Sequence, residues 1–187
     1  MPRAVSEVHV GPGWLYTADE GTAFPADPAT APAVDWVEIG YSTEGWNFVV
    51  DRTFERVLAA EEIDPLLTFK TAQEIHVRGT LLQNSLENLL LALGGGEITT
   101  DAGPPATRTY SPPATTEFTA FAVLLRVEAE QSATVGTEMR DFQFQKTVSV
   151  GAIDMPHNKA PNASVIAIDF EAQVPSAGDI FNIVELT

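Results

Sequence analysis

The sequence predicts a mainly β protein: two packed β-sheets that form a sandwich or barrel-like domain, with one flanking α-helix and two long loops. Three observations favour this fold class: segments of alternating apolar and polar residues recur, a single window has helical periodicity, and prolines gather in two stretches. We expect residues 1–187 to form one domain, because a chain of this length can bury a core without covalent links.

The first half of the chain contains several candidate strands. Residues 36–41 and 46–50 are predicted to form a hairpin, since Ser42, Thr43, Glu44 and Gly45 between them are typical of a turn. Residues 54–62 fit a helix or a strand, and we favour a strand that ends in a loop. Residues 75–81 alternate strictly between apolar and polar side chains, which predicts a half-buried strand.

One short helix is predicted directly after that strand. Asn84 is a suitable N-cap, and Glu87 stands three residues later, as in a capping box. Glycines 94–96 end the helix. Its leucines form one apolar stripe, which we expect to pack in the core: Leu86, Leu89, Leu90 and Leu93.

Alternation returns in the second half, over residues 121–128, 142–149 and 166–174, and residues 181–185 form a last short strand. The two long loops are predicted at about residues 19–33 and 97–117. Prolines interrupt both of them and prevent regular pairing: Pro25, Pro28 and Pro32 in the first, and Pro104, Pro105, Pro112 and Pro113 in the second.

The composition excludes several classes of function. The chain has 10 basic and 26 acidic residues, a net charge of −16, so a nucleic-acid-binding groove is not expected. It has no cysteine, which excludes disulfides and thiolate metal sites. No apolar run reaches the roughly 18 residues of a membrane helix, and residues 1–7 lack the apolar core of a signal peptide.

Motifs of catalysis and ligand binding are also absent from the sequence. We predict no catalytic residue, metal site or cofactor, because the three histidines have no ligand spacing and no nucleophile elbow or phosphate loop occurs. His76 falls on the polar face of its strand, where we expect it to be solvated. The three tryptophans keep one alternative open, a β-sandwich binding or adhesion module for carbohydrate: Trp14, Trp36 and Trp46.

The order of several short motifs resembles a known family. Residues 13–18 (GWLYTA) precede residues 36–41 (WVEIGY), an acidic stretch at residues 61–65, and residues 82–88 (LQNSLEN). Together they resemble the major tail protein of siphophages, particularly those that infect actinobacteria. The resemblance covers residues 10–96, and beyond them it depends on the strand pattern.

The resemblance implies a structural virion protein and not an enzyme. Such subunits form stacked hexameric rings, and the resulting tube surrounds the tape-measure protein and conducts double-stranded DNA during ejection. The implied partners are other copies of the chain, the tape-measure protein, the tail terminator and the tail-tip proteins, with no membrane. The implied location is the phage tail, after assembly in the host cytoplasm. The tube of a contractile tail or injection machine stays open as a close alternative.

If the chain forms a tube, one strand face must line the bore. The lining of a closed β-wall recurs at every second residue, and an acidic lining would repel passing DNA. Three sets of acidic residues fit this spacing, and we prefer the first: Asp51 and Glu55; Glu128 and Glu130; Asp169 and Glu171.

Overall fold

The computed structural model describes residues 12–58, 64–114, 118–128, 139–153, 155 and 164–186. Strands dominate this part of the chain, and the predicted mainly β fold with one helix and two sheets is confirmed. The elements, in chain order, are β1 (Gly13–Asp19), β2 (Val37–Glu38), β3 (Ser42–Val57), β4 (Leu67–Leu81), α1 (Leu86–Ala92), β5 (Glu97–Asp101), β6 (Thr107–Ser111), β7 (Phe121–Glu128), β8 (Met139–Ser149), β9 (Ile166–Ala172) and β10 (Phe181–Glu185).

The large sheet has eight antiparallel strands in the order β2-β1-β7-β8-β9-β4-β3, and β10 pairs with β8 beside β9. The sheet curls back on itself, as two ring contacts of Phe48 on the outermost strand β3 show. Its ring centroid lies 5.2 Å from that of Phe142 on β8 and 5.5 Å from that of Phe181 on β10. The β3-β4-β9 layer therefore covers the β1-β7-β8-β10 layer, and the main hydrophobic core lies between them.

Strand pairing in the first half differs from the prediction. β2 has only two residues and pairs with β1, whereas β3 begins at Ser42 and pairs with β4. The predicted hairpin of residues 36–41 with residues 46–50 is therefore wrong. Long-range packing decides the pairing, since Trp46 on β3 lies over Gly79 on β4, where a side chain would clash with its ring. Residues 54–57 belong to β3, as favoured from the sequence.

The helix is present, but its N-cap and its first residue each lie one position later than predicted. Ser85, not Asn84, is the N-cap: its hydroxyl accepts a hydrogen bond of 3.1 Å from the backbone N–H of Asn88. Asn84 instead directs its side-chain amide to Ser164 Oγ, 3.3 Å away. The helix is seven residues long and ends at Ala92.

Part of the second predicted loop is regular structure. Residues 97–101 and 107–111 pair as strands β5 and β6, so the prediction of a loop over residues 97–117 is wrong for them. Threonine, isoleucine and tyrosine dominate these strands and favour extended backbone, while Pro104 and Pro105 lie in the connecting turn. Residues 20–33, in contrast, contain no strand, as predicted, whereas Asp19, the first residue of that predicted loop, belongs to β1.

A candidate bore-lining face and a projecting arm

The outer side of the β3-β4-β9 layer brings two of the predicted acidic sets together. The register places Asp51 opposite Glu74, His76 opposite Glu171, and Arg78 opposite Asp169. Cross-strand partners lie on the same side of a sheet, and residues 74, 76 and 78 of β4 alternate onto one side. Asp51, Glu74, Asp169 and Glu171 therefore share one surface, which we call the acidic face.

Two side chains of β4 bind Asp169 within the acidic face, and one of them is an arginine. His76 Nδ1 and Arg78 Nε each lie 2.8 Å from a different carboxylate oxygen of Asp169. His76 is only 5% exposed, so its prediction as a solvated side chain is wrong: packing and the bond to Asp169 remove it from water. Among the described residues, Asp51, Glu74 and Glu171 form no ion pair with lysine or arginine, so the face keeps an excess of negative charge.

The third predicted set does not join this face. Glu128 lies on the outer side of β7, because Phe121, Val123 and Leu125 of the same strand point into the core. That outer side belongs to the other layer of the fold. Glu130 lies outside the described residues. The structure thus separates Glu128 from Asp51 and Glu171 by the thickness of the molecule.

β3 and β4 continue from the acidic face as a projecting two-stranded arm, formed by residues 51–58 and 64–74, and its first pair, Asp51 and Glu74, belongs to both. Almost every described side chain in it is exposed, on both sides of the ribbon. Glu55 stands on the arm, on the same side of β3 as Asp51. The other side carries Arg52, Phe54 and Arg56, and Phe54 is 53% exposed. Lys70 shares this side as the cross-strand partner of Phe54.

The predicted helix leucines divide into two groups. Leu89 and Leu90 pack against the main core, whereas Leu93 forms the C-cap and is 41% exposed. Leu86 is partly buried. The expectation of core packing is therefore wrong for Leu93, because the helix ends before that position and turns it outward. The buried positions of the helix are instead Asn88, which donates to Ile39 O at 3.1 Å, and Ala92.

The comparison with protein-family models matches residues 5–149 to the family described as phage tail tube protein. The chain belongs to the phage tail tube protein family. No curated protein matches the chain. The family match extends the resemblance found in residues 10–96 as far as the end of β8 at Ser149. It supports a structural protein of the phage tail, while the narrower likeness to siphophages of actinobacteria stays a prediction.

The described part of this tail tube protein offers no metal centre and no membrane-spanning helix. Within the described ranges, no three histidine, aspartate or glutamate side chains are arranged to hold a metal ion. No helix in the described part of the chain is long and apolar enough to cross a membrane. Trp36 is buried against Phe24 and donates to Ala23 O at 3.1 Å, and Trp46 packs on Gly79. These two tryptophans therefore serve packing.

Sequence reasoning missed the cations of the tail tube protein's arm. Arg52, Phe54 and Arg56 stand at every second position of the sequence, a spacing that places them on one side of a strand and could have identified this basic side. It was overlooked because an exposed ribbon has no buried side against which the pattern could be recognised.

Proposed function

We propose that this tail tube protein assembles into stacked hexameric rings whose sheets enclose a bore for double-stranded DNA. The observation that carries the proposal is the acidic face, on which Asp51, Glu74 and Glu171 have no lysine or arginine partner among the described residues. A curved wall built from the β3-β4-β9 layers of several copies would present this face as a continuous acidic lining.

Electrostatics explains why such a lining suits the role. Double-stranded DNA is a dense polyanion, and cations on the wall would bind its phosphates. Carboxylates repel it instead, over about 8–10 Å at physiological salt, which is a distance relevant inside a narrow bore. The arginine on the face, Arg78, is held by Asp169, so it is not free to bind phosphate.

We propose the remaining partners from membership of the tail tube family. Before ejection the same bore would hold the tape-measure protein, and the two ends of the tube would meet the tail terminator and the tail-tip proteins. Assembly of the tail would take place in the host cytoplasm, and the protein would then reside in the virion.

DNA ejection from phage that carry lysine on the acidic face tests the proposal. Asp51→Lys with Glu171→Lys should leave tails of normal appearance but slow or block ejection, because the introduced cations would bind phosphates. Glu128→Lys is the control, because it adds a lysine to the opposite layer of the fold. Ejection at the wild-type rate from normal Asp51→Lys/Glu171→Lys tails would remove the acidic face from the bore.

A further inference from the structure

The lysines and arginines that the structure describes in this tail tube protein differ in ion pairing according to whether they lie on the arm. Away from the arm, each described lysine or arginine is ion-paired with a carboxylate of its own chain: Arg78 with Asp169, Arg108 with Glu87, Arg126 with Asp141, Arg140 with Glu185, and Lys146 with Glu20. On the arm, none of the three cations has a carboxylate partner among the described residues: Arg52, Arg56 and Lys70. Lys70 donates only to the neutral side-chain oxygen of Gln73 among the described residues. In a chain of net charge −16, cations with no described carboxylate partner are an exception that needs a cause.

These three cations lie on one side of the arm, together with exposed Phe54. By alternation along β3, this side continues the one on which Trp46, Phe48 and Val50 pack in the core. The arm therefore carries the core-facing side of β3 beyond the limits of its own core. An exposed aromatic ring flanked by unpaired guanidinium groups is typical of a contact surface.

A groove elsewhere on the molecule has the complementary character. It encloses about 430 Å³ between β1, β2, α1 and β5. Apolar side chains line it, among them Val37, Leu90 and Ile98, and Asp19 and Asp35 stand at its rim without an ion pair to any described residue. No lysine or arginine is among its described lining residues.

The groove and the arm of one chain do not meet. β2 ends at Glu38, close to the start of β3 at Ser42, whereas the arm lies at the other end of β3, and no arm residue is among the described residues that line the groove. We propose that the arm of one copy binds the groove of a second copy, with Phe54 in the apolar part and Arg52 and Arg56 beside Asp19 and Asp35. This inference rests on the proposed function, since it assigns one contact between copies that a tube requires.

Charge exchange between the two surfaces tests the contact. Arg52→Glu with Arg56→Glu should abolish the tubes formed by the purified wild-type protein, as seen by negative-stain electron microscopy. Adding Asp19→Lys and Asp35→Lys to that variant should restore them, because the attraction is then re-formed with reversed signs. The four-substitution chain has the net charge of the wild type, so overall repulsion cannot explain the difference.

A second four-substitution chain is the matched control. Arg52→Glu and Arg56→Glu combined with Asp51→Lys and Glu55→Lys also keep the wild-type net charge, but the lysines stand on the other side of the arm. This chain should not assemble. Tubes from the Arg52→Glu/Arg56→Glu chain, as expected if the cations served DNA binding, would overturn the contact. Failure of the Asp19→Lys and Asp35→Lys changes to restore tubes would overturn the groove as its receptor.

Disulfide trapping gives a readout that does not depend on these variants assembling. The chain has no cysteine, so introduced thiols react without background. Mixed Arg56→Cys and Val37→Cys chains should oxidise to a disulfide-linked pair under assembly conditions, whereas mixed Glu55→Cys and Val37→Cys chains should not. Equal linkage from both mixtures, or none from either, would overturn the contact. A wild-type chain that never assembles would instead contradict the proposed function itself.

Discussion

Arg126 and Asp141 form a bidentate ion pair that joins β7 to β8 beneath the strand-free segment of residues 20–36. Arg126 Nε lies 2.8 Å from Asp141 Oδ1, and Nη2 lies 2.7 Å from Oδ2. The two residues are 5% and 0% exposed, and Arg126 Nη1 also donates to Thr30 O at 3.0 Å. The hydrogen bonds to Asp141 raise the pKa of Arg126, so its guanidinium group stays charged at every physiological pH. It therefore fixes the long segment onto the sheet.

Removing one member of this pair should be costly. Asp141→Asn leaves the Arg126 guanidinium buried without its counter-charge, so we expect a loss of about 3–5 kcal/mol in the free energy of unfolding. Urea denaturation of the unassembled subunit measures it. Lys146→Gln is the control, because its pair with Glu20 is partly exposed and should contribute about 0–1 kcal/mol. Equal losses for both variants would contradict this account of the pair.

The helix leucines should differ in their contribution to stability. Leu89 packs against the main core, so Leu89→Ala should lower the free energy of unfolding by about 2 kcal/mol or more. Leu93 is a partly exposed C-cap, and Leu93→Ala should cost clearly less. Thermal or urea unfolding of the two variants makes the comparison. A larger loss for Leu93→Ala in the isolated subunit would mean that the helix packs differently from the structure.

Trp46 depends on the absence of a side chain at Gly79. A Cβ at that position would lie 2.4 Å from the Trp46 ring, so Gly79→Ala must displace the indole from the core. We expect a loss of about 1–3 kcal/mol, as for other overpacked cores. Gly13→Ala, also beside Trp46, is the control, since its Cβ would have no neighbour closer than 3.4 Å. Calorimetry should show a lowered melting temperature for Gly79→Ala alone.

The pair of Glu87 and Arg108 should make a pH-dependent link between α1 and β6. The hydrogen bond from Arg108 lowers the pKa of Glu87. A lowered carboxyl pKa gives stability that is present above its ordinary value and is lost as the pH falls through the folded-state value. The difference in unfolding midpoint between wild type and Arg108→Gln should therefore be seen at pH 7 and shrink towards pH 3. A difference that stays constant over this range would contradict the coupling.

Local sequence patterns predicted which segments form strands far better than they predicted what packs against and pairs with each strand. Alternation identified residues 121–128 as a strand, yet Ala122 and Leu124 on its outer side are also buried, because Trp36 from the distant segment covers them. The pairing of β3 with β4 was missed because it depends on the fit of Trp46 to Gly79 and of Phe48 to Phe142, which are far apart in sequence.

The candidate site was predictable only in part. Spacing alone selected Asp51, Asp169 and Glu171 as acidic positions, but register was needed to place them on one face and to separate Glu128 from it. The pairing of Asp169 with His76 and Arg78 could not be read from the sequence, since β4 and β9 are distant along the chain. Charge balance along a sequence does not reveal which carboxylates are neutralised in the fold.

Electron microscopy of the purified wild-type protein over a range of concentrations tests the central claim most directly. A tail tube subunit with a basic side on its arm, and with an apolar groove that Asp19 and Asp35 flank, should associate with its own copies. The account predicts hollow rings or tubes of uniform diameter, with six-fold symmetry in end views. A protein that remains monomeric at every concentration, in microscopy and in light scattering, would contradict it.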